Sequence, residues 1–496
     1  MPSNSLYDEI VSNKKVKIVN SDSVKLRFPA VDAAAAENAT VTGSAYLYSA
    51  ECVNKEVKYS GKAIFSVVYE SDKELNQTEA AVEFSFKFPV DKEIKKDVFG
   101  TLKLSGAKLV ASGGMAEAVA TVTFDGVGIT ETKKSVFSGN DDYVLKKEAV
   151  EYLKRAGTVK KSFTVEDEIS LQYPVGGIMA HGETAVITSV NAGVGAIVID
   201  GEAEVTFVTK GLNDAVYKQE TKVIPFRTEI PDDGVTPEDT AAASVIVVDR
   251  KLKALVDEGK GTTDVTLELT VEAFAERYEP KSVDLIIDAF SRTRELIAAK
   301  ESDEFMLPDK FTFGEEKISG EIPFGEENTA RIVFVTGAFI EDADVTFSDG
   351  AADISGTVST AAVVAKDTGG YFSAEKLLPF DFKVKTAASG FMGLGLAVTS
   401  FNLRLIGGIL AYDFVIKYSF TGVTHKKADY VAAVSEGEPR VINDAAISVY
   451  LPEKGDTLWS VAKTLGMSEE EVQKTNSELV FPLNGDERII IYREIK

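Results

Sequence analysis

The chain of 496 residues has one cysteine, one tryptophan and two histidines. A single cysteine, Cys52, excludes an intramolecular disulfide, so stability must come from burial, which a chain of this length can supply. The two histidines, His181 and His425, have neither a cysteine nor a second histidine at metal-binding spacing. We therefore expect no metal site of the common kinds and no other cofactor, and we expect Cys52 to be a small buried residue.

Positive charge is also scarce. The chain has 54 Lys+Arg against 78 Asp+Glu, which gives a formal net charge of −24. DNA, RNA and anionic membrane surfaces would repel such a chain, so we expect no nucleic-acid partner. Hydrophobic residues make up 44% and charged residues 27%, which is typical of globular proteins and excludes a fibrous or disordered chain.

Long apolar segments are rare as well. Residues 1–15 lack the apolar core of a secretory signal. The most apolar stretch, residues 391–416, is interrupted by three polar or charged residues and has Gly407-Gly408 at its middle. This pattern predicts a β-hairpin rather than a membrane helix. We expect a cytoplasmic protein with no membrane insertion.

The commonest local pattern is the alternation of apolar and polar residues. Asp264–Glu272 is one example, with four apolar side chains at every second position: Val265, Leu267, Leu269 and Val271. Such alternation predicts a strand with one buried and one wet face. Before residue 450 we identify one possible helix, Asp142–Arg155. The sequence therefore predicts a mainly β, multidomain protein.

Three segments share one outline, in which a β-rich run around a glycine is followed by a phenylalanine segment. The landmark pairs are Gly61 and Phe84, Gly201 and Phe226, and Gly356 and Phe380, with separations of 23, 25 and 24 positions. A second similarity links Ser162–Ser170 to Lys310–Ser319. The common order and spacing predict three tandem β-rich domains, at residues 1–155, 156–300 and 301–440.

The C-terminal segment, residues 446–496, has a different pattern. It reads as a strand, two helices and a strand: Ile447–Leu451, Leu458–Leu465, Ser468–Thr475 and Arg488–Tyr492. Thr457 is placed as the N-cap of the first helix and Gly466 as its C-cap. Ser468 and Glu471 fit a capping box at the second helix. We predict a small βααβ module.

This segment resembles a LysM module. Its opening pattern is carried by Tyr450, Gly455-Asp-Thr-Leu-Trp459 and Ala462, and its second half by Gly466, Ser468, Val472, Asn476, Leu479, Leu483 and Gly485. One departure is Asn476-Ser477, where the family commonly has Asn-Pro. The resemblance covers about 50 of the 496 residues.

The LysM resemblance implies a groove for glycans that contain N-acetylglucosamine. Carried over by position, one side of the groove has Gly455, Asp456, Thr457 and Leu458, and the other has Asn476, Ser477, Glu478 and Leu479. A purely structural alternative exists, because Gly455-Asp-Thr also starts a helix and Leu458 fits a core position. For Trp459 we expect core or partly buried packing.

Three β-rich repeats followed by one LysM module resemble the SPOCS-domain proteins of spore-forming Firmicutes, which include SipL-like coat assembly proteins. The local similarity is greatest at Val283–Ser291, with its Asp-Ala-Phe-Ser ending. The first and third repeats have no clear counterpart of that ending. The resemblance implies a location in the mother cell at the forespore surface, and a LysM module that docks a spore-coat morphogenetic ATPase.

We therefore expect a non-enzymatic scaffold or adaptor in spore-envelope assembly. Two alternatives stay open: a LysM protein that binds peptidoglycan of the cortex or cell wall, and a hydrolase that the LysM module targets. The hydrolase lacks a recognisable constellation, since no Walker-type loop or nucleophile–base pair stands out and no carboxylate pair can be singled out. Asp342-Ala-Asp344 we interpret as a solvated acidic turn rather than a calcium loop.

Overall fold

The computed structural model describes residues 7–32, 35–71, 73–95, 98–112, 114–139, 142–325, 329–441 and 445–492. Strands make up 78% of the structure, and the sheets are antiparallel, so the prediction of a mainly β protein is confirmed. Within the described residues, no helix has the length and apolar character that crossing a membrane requires.

In the part of residues 7–439 that the structure describes, eighteen strands occur in three consecutive sets of six, and we call each set a unit. The first unit contains β1 (Tyr7–Asp32), β2 (Thr40–Val53), β3 (Glu56–Ser71), β4 (Glu74–Pro89), β5 (Val98–Ser112) and β6 (Met115–Phe137). The second contains β7 (Tyr143–Leu171), β8 (Val175–Ala192), β9 (Ala196–Gly211), β10 (Tyr217–Pro231), β11 (Thr240–Asp257) and β12 (Thr262–Ser291). The third contains β13 (Arg294–Pro323), β14 (Thr329–Ser348), β15 (Ala351–Lys366), β16 (Tyr371–Lys385), β17 (Gly390–Ile406) and β18 (Ile409–Pro439).

The strand order is the same in every unit. The first, sixth and fifth strands form one three-stranded sheet, as in β1-β6-β5, and the second, third and fourth form another, as in β2-β3-β4. Each unit has apolar residues buried between its two central strands, including Phe65 and Val122, Val205 and Leu267, and Val358 and Ile416. Each unit is therefore a two-sheet sandwich around its own core.

The alternation at Asp264–Glu272 lies in β12. The side chains of Val265, Leu267, Leu269 and Val271 are 0% exposed, while Thr266 between them is exposed and Glu268 is half-buried. The predicted one-face burial of this strand is confirmed.

The recurring glycine and phenylalanine are direct cross-strand partners. Gly61 is opposite Phe84, Gly201 is opposite Phe226, and Gly356 is opposite Phe380, in each case between the third and fourth strands of a unit. In the second unit, a methyl group on Gly201 would lie 2.3 Å from Cζ of Phe226 and 2.6 Å from the carbonyl oxygen of Val186. The phenylalanine ring lies over the glycine and covers the backbone that has no side chain. The constant spacing in sequence is thus the length of one hairpin.

Replacing Gly201 by alanine is expected to destabilise the protein by about 1–3 kcal/mol, because the methyl group must displace Phe226 or the backbone of Val186. Gly177→Ala in the adjacent β8 is the control, since a Cβ there meets no atom within 4 Å. It should change stability by less than about 0.5 kcal/mol. Urea unfolding of the two variants measures the difference, and equal effects would contradict the close approach at Gly201.

The three units also meet one another at equivalent positions. Val68, Val208 and Val363, each seven positions after its landmark glycine, lie in one buried cluster. A second shared cluster contains Val136, Leu285 and Tyr430 from the sixth strands of the three units. Between the units lies a cavity of about 870 Å³, lined by the second and fifth strands of all three units. The units therefore surround a common centre.

Two local expectations are corrected and one is confirmed. Asp142–Arg155 is not a helix, because residues from Tyr143 onward pair with β12 along the whole length of β7. Asp342 and Asp344 lie within β14 rather than in a turn. The predicted hairpin within residues 391–416 is confirmed, since Ile406 pairs with Ile409 across Gly407-Gly408, which have φ of +58° and +80°.

The predicted domain boundaries fall inside strands. The boundary after residue 155 lies within β7, and the boundary after residue 300 lies within β13. Boundaries before Tyr143 and between Ser291 and Arg294 would keep every strand whole. Residues 1–6 of the predicted first domain and 493–496 of the predicted module lie outside the described residues.

The C-terminal segment contains β19 (Ile447–Tyr450), α1 (Leu458–Leu465), α2 (Glu469–Thr475) and β20 (Ile489–Tyr492). The two strands pair in antiparallel fashion, from Ile447 with Tyr492 to Tyr450 with Ile489. The predicted order of strand, helix, helix and strand is confirmed. We call this segment the module, and the three units together the body.

Candidate functional site

The start of α1 is fixed by its first residues. Thr457 is the N-cap, and its hydroxyl accepts a hydrogen bond from the Ser460 backbone N–H at 3.1 Å. The Ser460 hydroxyl accepts from the Thr457 N–H at 2.9 Å, which completes a capping box. The helix ends at Gly466, with φ of +66°. Both predicted caps are confirmed, and they set the position of the loop before α1.

The start of α2 has the predicted capping box. The Ser468 N–H donates to Glu471 Oε2 at 2.6 Å, and the Glu471 N–H donates to the Ser468 hydroxyl at 3.2 Å. Burial acts to raise the pKa of Glu471, but hydrogen bonds from Ser468 and the charge of Arg292 lower it overall. The carboxylate therefore stays ionised beside the positive end of the helix.

Asp456, a predicted groove residue, has its carboxylate occupied by groups of the module itself. Its Oδ2 accepts from the Glu453 N–H at 2.9 Å and from the Tyr450 hydroxyl at 3.3 Å, and its Oδ1 accepts from the Ser460 hydroxyl at 2.9 Å. These bonds tie the end of β19 to the first turn of α1. The side chain of Asp456 therefore holds the loop in shape, and only its backbone groups are left to contact a ligand.

Asn476, on the other predicted side, is an internal brace. Its side chain is 1% exposed. The amide nitrogen donates to the carbonyls of Val472 at 3.0 Å and Ile490 at 2.9 Å, and the amide oxygen accepts from the Ile490 N–H at 2.8 Å. These bonds join the end of α2 to β20. The departure to Asn476-Ser477 leaves this brace intact.

The remaining predicted residues divide by exposure. Gly455, Thr457, Ser477 and Glu478 are exposed, whereas Leu458 and Leu479 are half-buried and pack against one shared apolar cluster. The cluster is formed largely by Trp459, Val461, Ala462, Val472 and Leu483. The structure thus brings the ends of the two predicted loops to one patch of core, with four exposed residues around it.

Trp459 joins the module to the body. Its indole N–H donates to Asp288 Oδ2 at 2.8 Å, and Phe290 packs edge-on against its ring with centroids 5.2 Å apart. The Lys463 ammonium lies 2.7 Å from Asp288 Oδ1. Burial acts to raise the pKa of Asp288, but the bonds from Lys463 and Trp459 lower it overall. The Asp-Ala-Phe-Ser ending of β12 is therefore the docking point of α1.

Arg440 completes this joint. Its Nη2 donates to the carbonyls of Lys463 at 2.6 Å and Thr464 at 3.1 Å, and its Nη1 donates to the carbonyl of Ser291 at 3.0 Å. The last carbonyls of a helix have no partner within the helix and carry partial negative charge, so a guanidinium satisfies them well. Arg440 thereby links α1, β12 and the end of β18.

The joint can be tested with the single tryptophan of the chain. Asp288→Ala removes the partner of both Trp459 and Lys463, so we expect a red-shifted tryptophan emission as water reaches the indole. Lys474→Ala is the control, because Lys474 lies in α2 and is exposed. Unchanged emission in the Asp288 variant would contradict this joint.

The two histidines lie in different surroundings. His425 is exposed, and its Nδ1 is 3.0 Å from the Ser389 hydroxyl. His181 has a side chain only 11% exposed, between the carboxylates of Glu79 and Glu183. Within the described residues, no group of three or more His, Cys, Asp and Glu is placed to hold a metal ion. Cys52 is 5% exposed, as expected, and burial raises the pKa of its thiol.

Sequence reasoning missed two sets of residues that connect distant segments. One is the joint around Asp288 and Arg440, and the other is the polar group around His181. A weak signal existed for each, namely the Asp-Ala-Phe-Ser ending at 288–291 and the pair His181 and Glu183 at strand spacing. Neither signal indicates which residue is contacted, because the partners in other strands or helices lie 67 or more positions away.

Comparison of the chain with protein-family models, with curated proteins and with solved structures finds no match.

Proposed function

We propose that the chain is a non-enzymatic adaptor in spore-envelope assembly. In this proposal a body of three SPOCS-like domains holds a LysM module that docks a morphogenetic protein partner of the spore coat. The observation that carries the proposal is the joint at Asp288, which fixes α1 to the body while Gly455, Thr457, Ser477 and Glu478 stay exposed. Such a module is presented at a set orientation rather than on a free tether.

The repeated strand order supports the division into three domains. Each unit has two sheets and its own core, and the units also share apolar clusters. We propose that each unit is one SPOCS-like domain, with boundaries near Tyr143 and Arg294. An arrangement of this kind gives a rigid frame, which suits a protein whose task is to hold a binding module in place.

Charge favours a protein partner over an anionic polymer. Residues 446–496 carry six basic and nine acidic residues, a net charge of −3. One of the basic residues, Lys463, is already paired with Asp288. The exposed surface of the module is therefore acidic, and a partner with basic groups at its contact surface would be attracted.

The test uses the exposed loop residues, because changes at Thr457 or Asn476 would disturb the fold as well as the surface. Ser477→Arg combined with Glu478→Arg should weaken binding of the full chain to a purified coat morphogenetic ATPase at least tenfold, with an unchanged melting temperature. Ser319→Arg combined with Glu321→Arg makes the same charge change at exposed positions of β13 and should leave binding intact.

The same variants separate the alternative function. Binding of N-acetylglucosamine oligomers by the full chain, lost in the Ser477 and Glu478 variant, with no binding to the ATPase, would favour the peptidoglycan-binding alternative. Binding of the ATPase that is unaffected by the loop variant would show that this loop is not the docking surface. Binding of neither would refute the module as a recognition element.

A further inference from the structure

His181 lies at the contact between the first and second units. Its Nε2 is 3.0 Å from Glu79 Oε2 of β4, and its Nδ1 is 3.3 Å from Glu183 Oε2 of its own strand, β8. Arg250 of β11 also approaches, with Nη2 at 2.8 Å from Nε2 of the imidazole and 3.0 Å from Glu79 Oε2. Four groups from two units therefore compete for one set of hydrogen bonds.

The surrounding contacts are closed and buried. The Tyr46 hydroxyl of β2 donates to Glu183 Oε1 at 2.5 Å, and Arg250 Nη1 donates to the same oxygen at 2.8 Å. The side chains of Glu183 and Arg250 are each 4% exposed. His181 also lines the central cavity, whose further charged lining residues are Lys103, Asp125, Glu341, Glu375 and Lys376. It lines as well a small cavity of about 50 Å³, where Glu204 of β9 is the charged residue. The residues that β10, β14 and β17 contribute there are uncharged.

The imidazole has two hydrogen-bonding patterns available. When charged, both ring nitrogens donate, so His181 bridges Glu79 and Glu183 and ties β4 to β8. When neutral, one nitrogen must accept, and Arg250 Nη2 is the donor that faces Nε2. In that state the bond to Glu79 is lost, and Glu79 keeps only Arg250.

We propose that His181 forms a protonation-dependent bridge between the first and second units. The bridge is closed when the imidazole is charged, and it opens when the imidazole loses its proton to solvent. The loosened contact is the one between β4 and β8, beside the central cavity. Tyr46 and Arg250 hold Glu183 in both states, so the units stay associated while the edge at Glu79 gains freedom.

The direction of the pH dependence follows from the neighbouring charges. Burial acts to lower the pKa of His181, but the bonds to Glu183 and Glu79 raise it overall. For Glu183, burial acts to raise the pKa, but the bond from His181 and the charge of Arg250 lower it to about 2. A raised histidine pKa contributes stability below about pH 6.5 that is lost as pH rises through the folded value. Glu183, whose pKa is lowered, contributes stability above about pH 4.5. The contact is therefore most stable in mildly acidic solution.

The presence of only two histidines makes the titration measurable in the full chain. With ¹³C-labelled histidine, two imidazole signals are expected, and His425→Gln assigns them. The proposal requires His181 to titrate above the ordinary range near pH 6.5. A titration of His181 at or below that range would overturn it.

Hydrogen exchange then measures opening of the His181 bridge. After correction for intrinsic rates, exchange of residues 74–89 should quicken as pH rises through the His181 titration, about tenfold for each unit by which its pKa exceeds that of the opened state. His181→Gln should abolish this step and His425→Gln should retain it. If His181→Gln fails to fold, Glu79→Ala serves, because it removes the acceptor of the bridge on β4 but leaves the bond to Glu183.

Two outcomes would contradict the proposal. One is exchange of residues 74–89 that does not change across the titration. The other is a step that persists in both the His181 and the Glu79 variants, since the step would then have another origin.

Discussion

Replacing Arg250 by methionine is expected to lower the free energy of unfolding by about 3–5 kcal/mol, because it removes the guanidinium that donates to the buried carboxylate of Glu183 and leaves only His181 as a cation beside it. Methionine preserves most of the apolar length of the side chain, so the loss reports the charge rather than the packing. Arg250 also contacts Tyr46, Glu79 and His181. Because its side chain is only 4% exposed, water does not readily reach the groups that it leaves behind.

The control for this variant is Arg227→Met. Arg227 pairs with Asp200 at 2.9 Å, but its side chain is 63% exposed. An exposed ion pair contributes at most about 1 kcal/mol, so this variant should have a free energy of unfolding close to that of the wild type. Urea unfolding followed by circular dichroism, at pH 6, compares the two. If both variants lost similar amounts of stability, the buried pair of Arg250 and Glu183 would contribute no more than the exposed pair of Arg227 and Asp200, and the prediction would be wrong.

Replacing Asn476 by alanine is expected to unfold the module. The change leaves the N–H and C=O groups of Ile490 without their side-chain partner, and an unsatisfied buried group costs about 1–3 kcal/mol. A segment of about 50 residues without a disulfide has only about 3–5 kcal/mol of stability in total. The expected loss is therefore comparable to the whole stability of the module.

Trp459 reports this loss separately from the body, because the chain has one tryptophan and it lies in the module. We expect red-shifted emission at 25 °C in Asn476→Ala, with most of the β-sheet circular dichroism retained. Asn484→Ala is the matched control, since Asn484 is exposed near the end of the same module. Native emission in the Asn476 variant would show that α2 and β20 do not depend on this side chain.

Local features were predictable from the sequence. The capping residues of α1 and α2 act within three positions, and the alternation in β12 needs only knowledge of the strand period. The spacing from Gly201 to Phe226 is also local in this sense, because the two residues face each other across one hairpin.

Features that depend on distant pairing were not predictable. Residues 142–155 have a pattern that fits a helix, but the backbone of residues 143–155 pairs with residues 278–291 of β12, 123 to 148 positions later. Tertiary pairing of this kind overrides local propensity. The same holds for the joint, where Asp288 and Trp459 are 171 positions apart, and for Tyr46 and Arg250, which are 204 apart. Sequence alone marks such residues as polar or aromatic without indicating what they contact.

The buried cluster of Val68, Val208 and Val363 has a consequence for synthesis of the chain. Val68 leaves the ribosome 363 − 68 = 295 residues before Val363 does. At about 5–20 residues per second, roughly 15–60 s pass between synthesis of Val68 in the first unit and synthesis of Val363 in the third. During that interval an apolar patch on the nascent chain stays uncovered, and a chaperone that holds such patches has its natural target there.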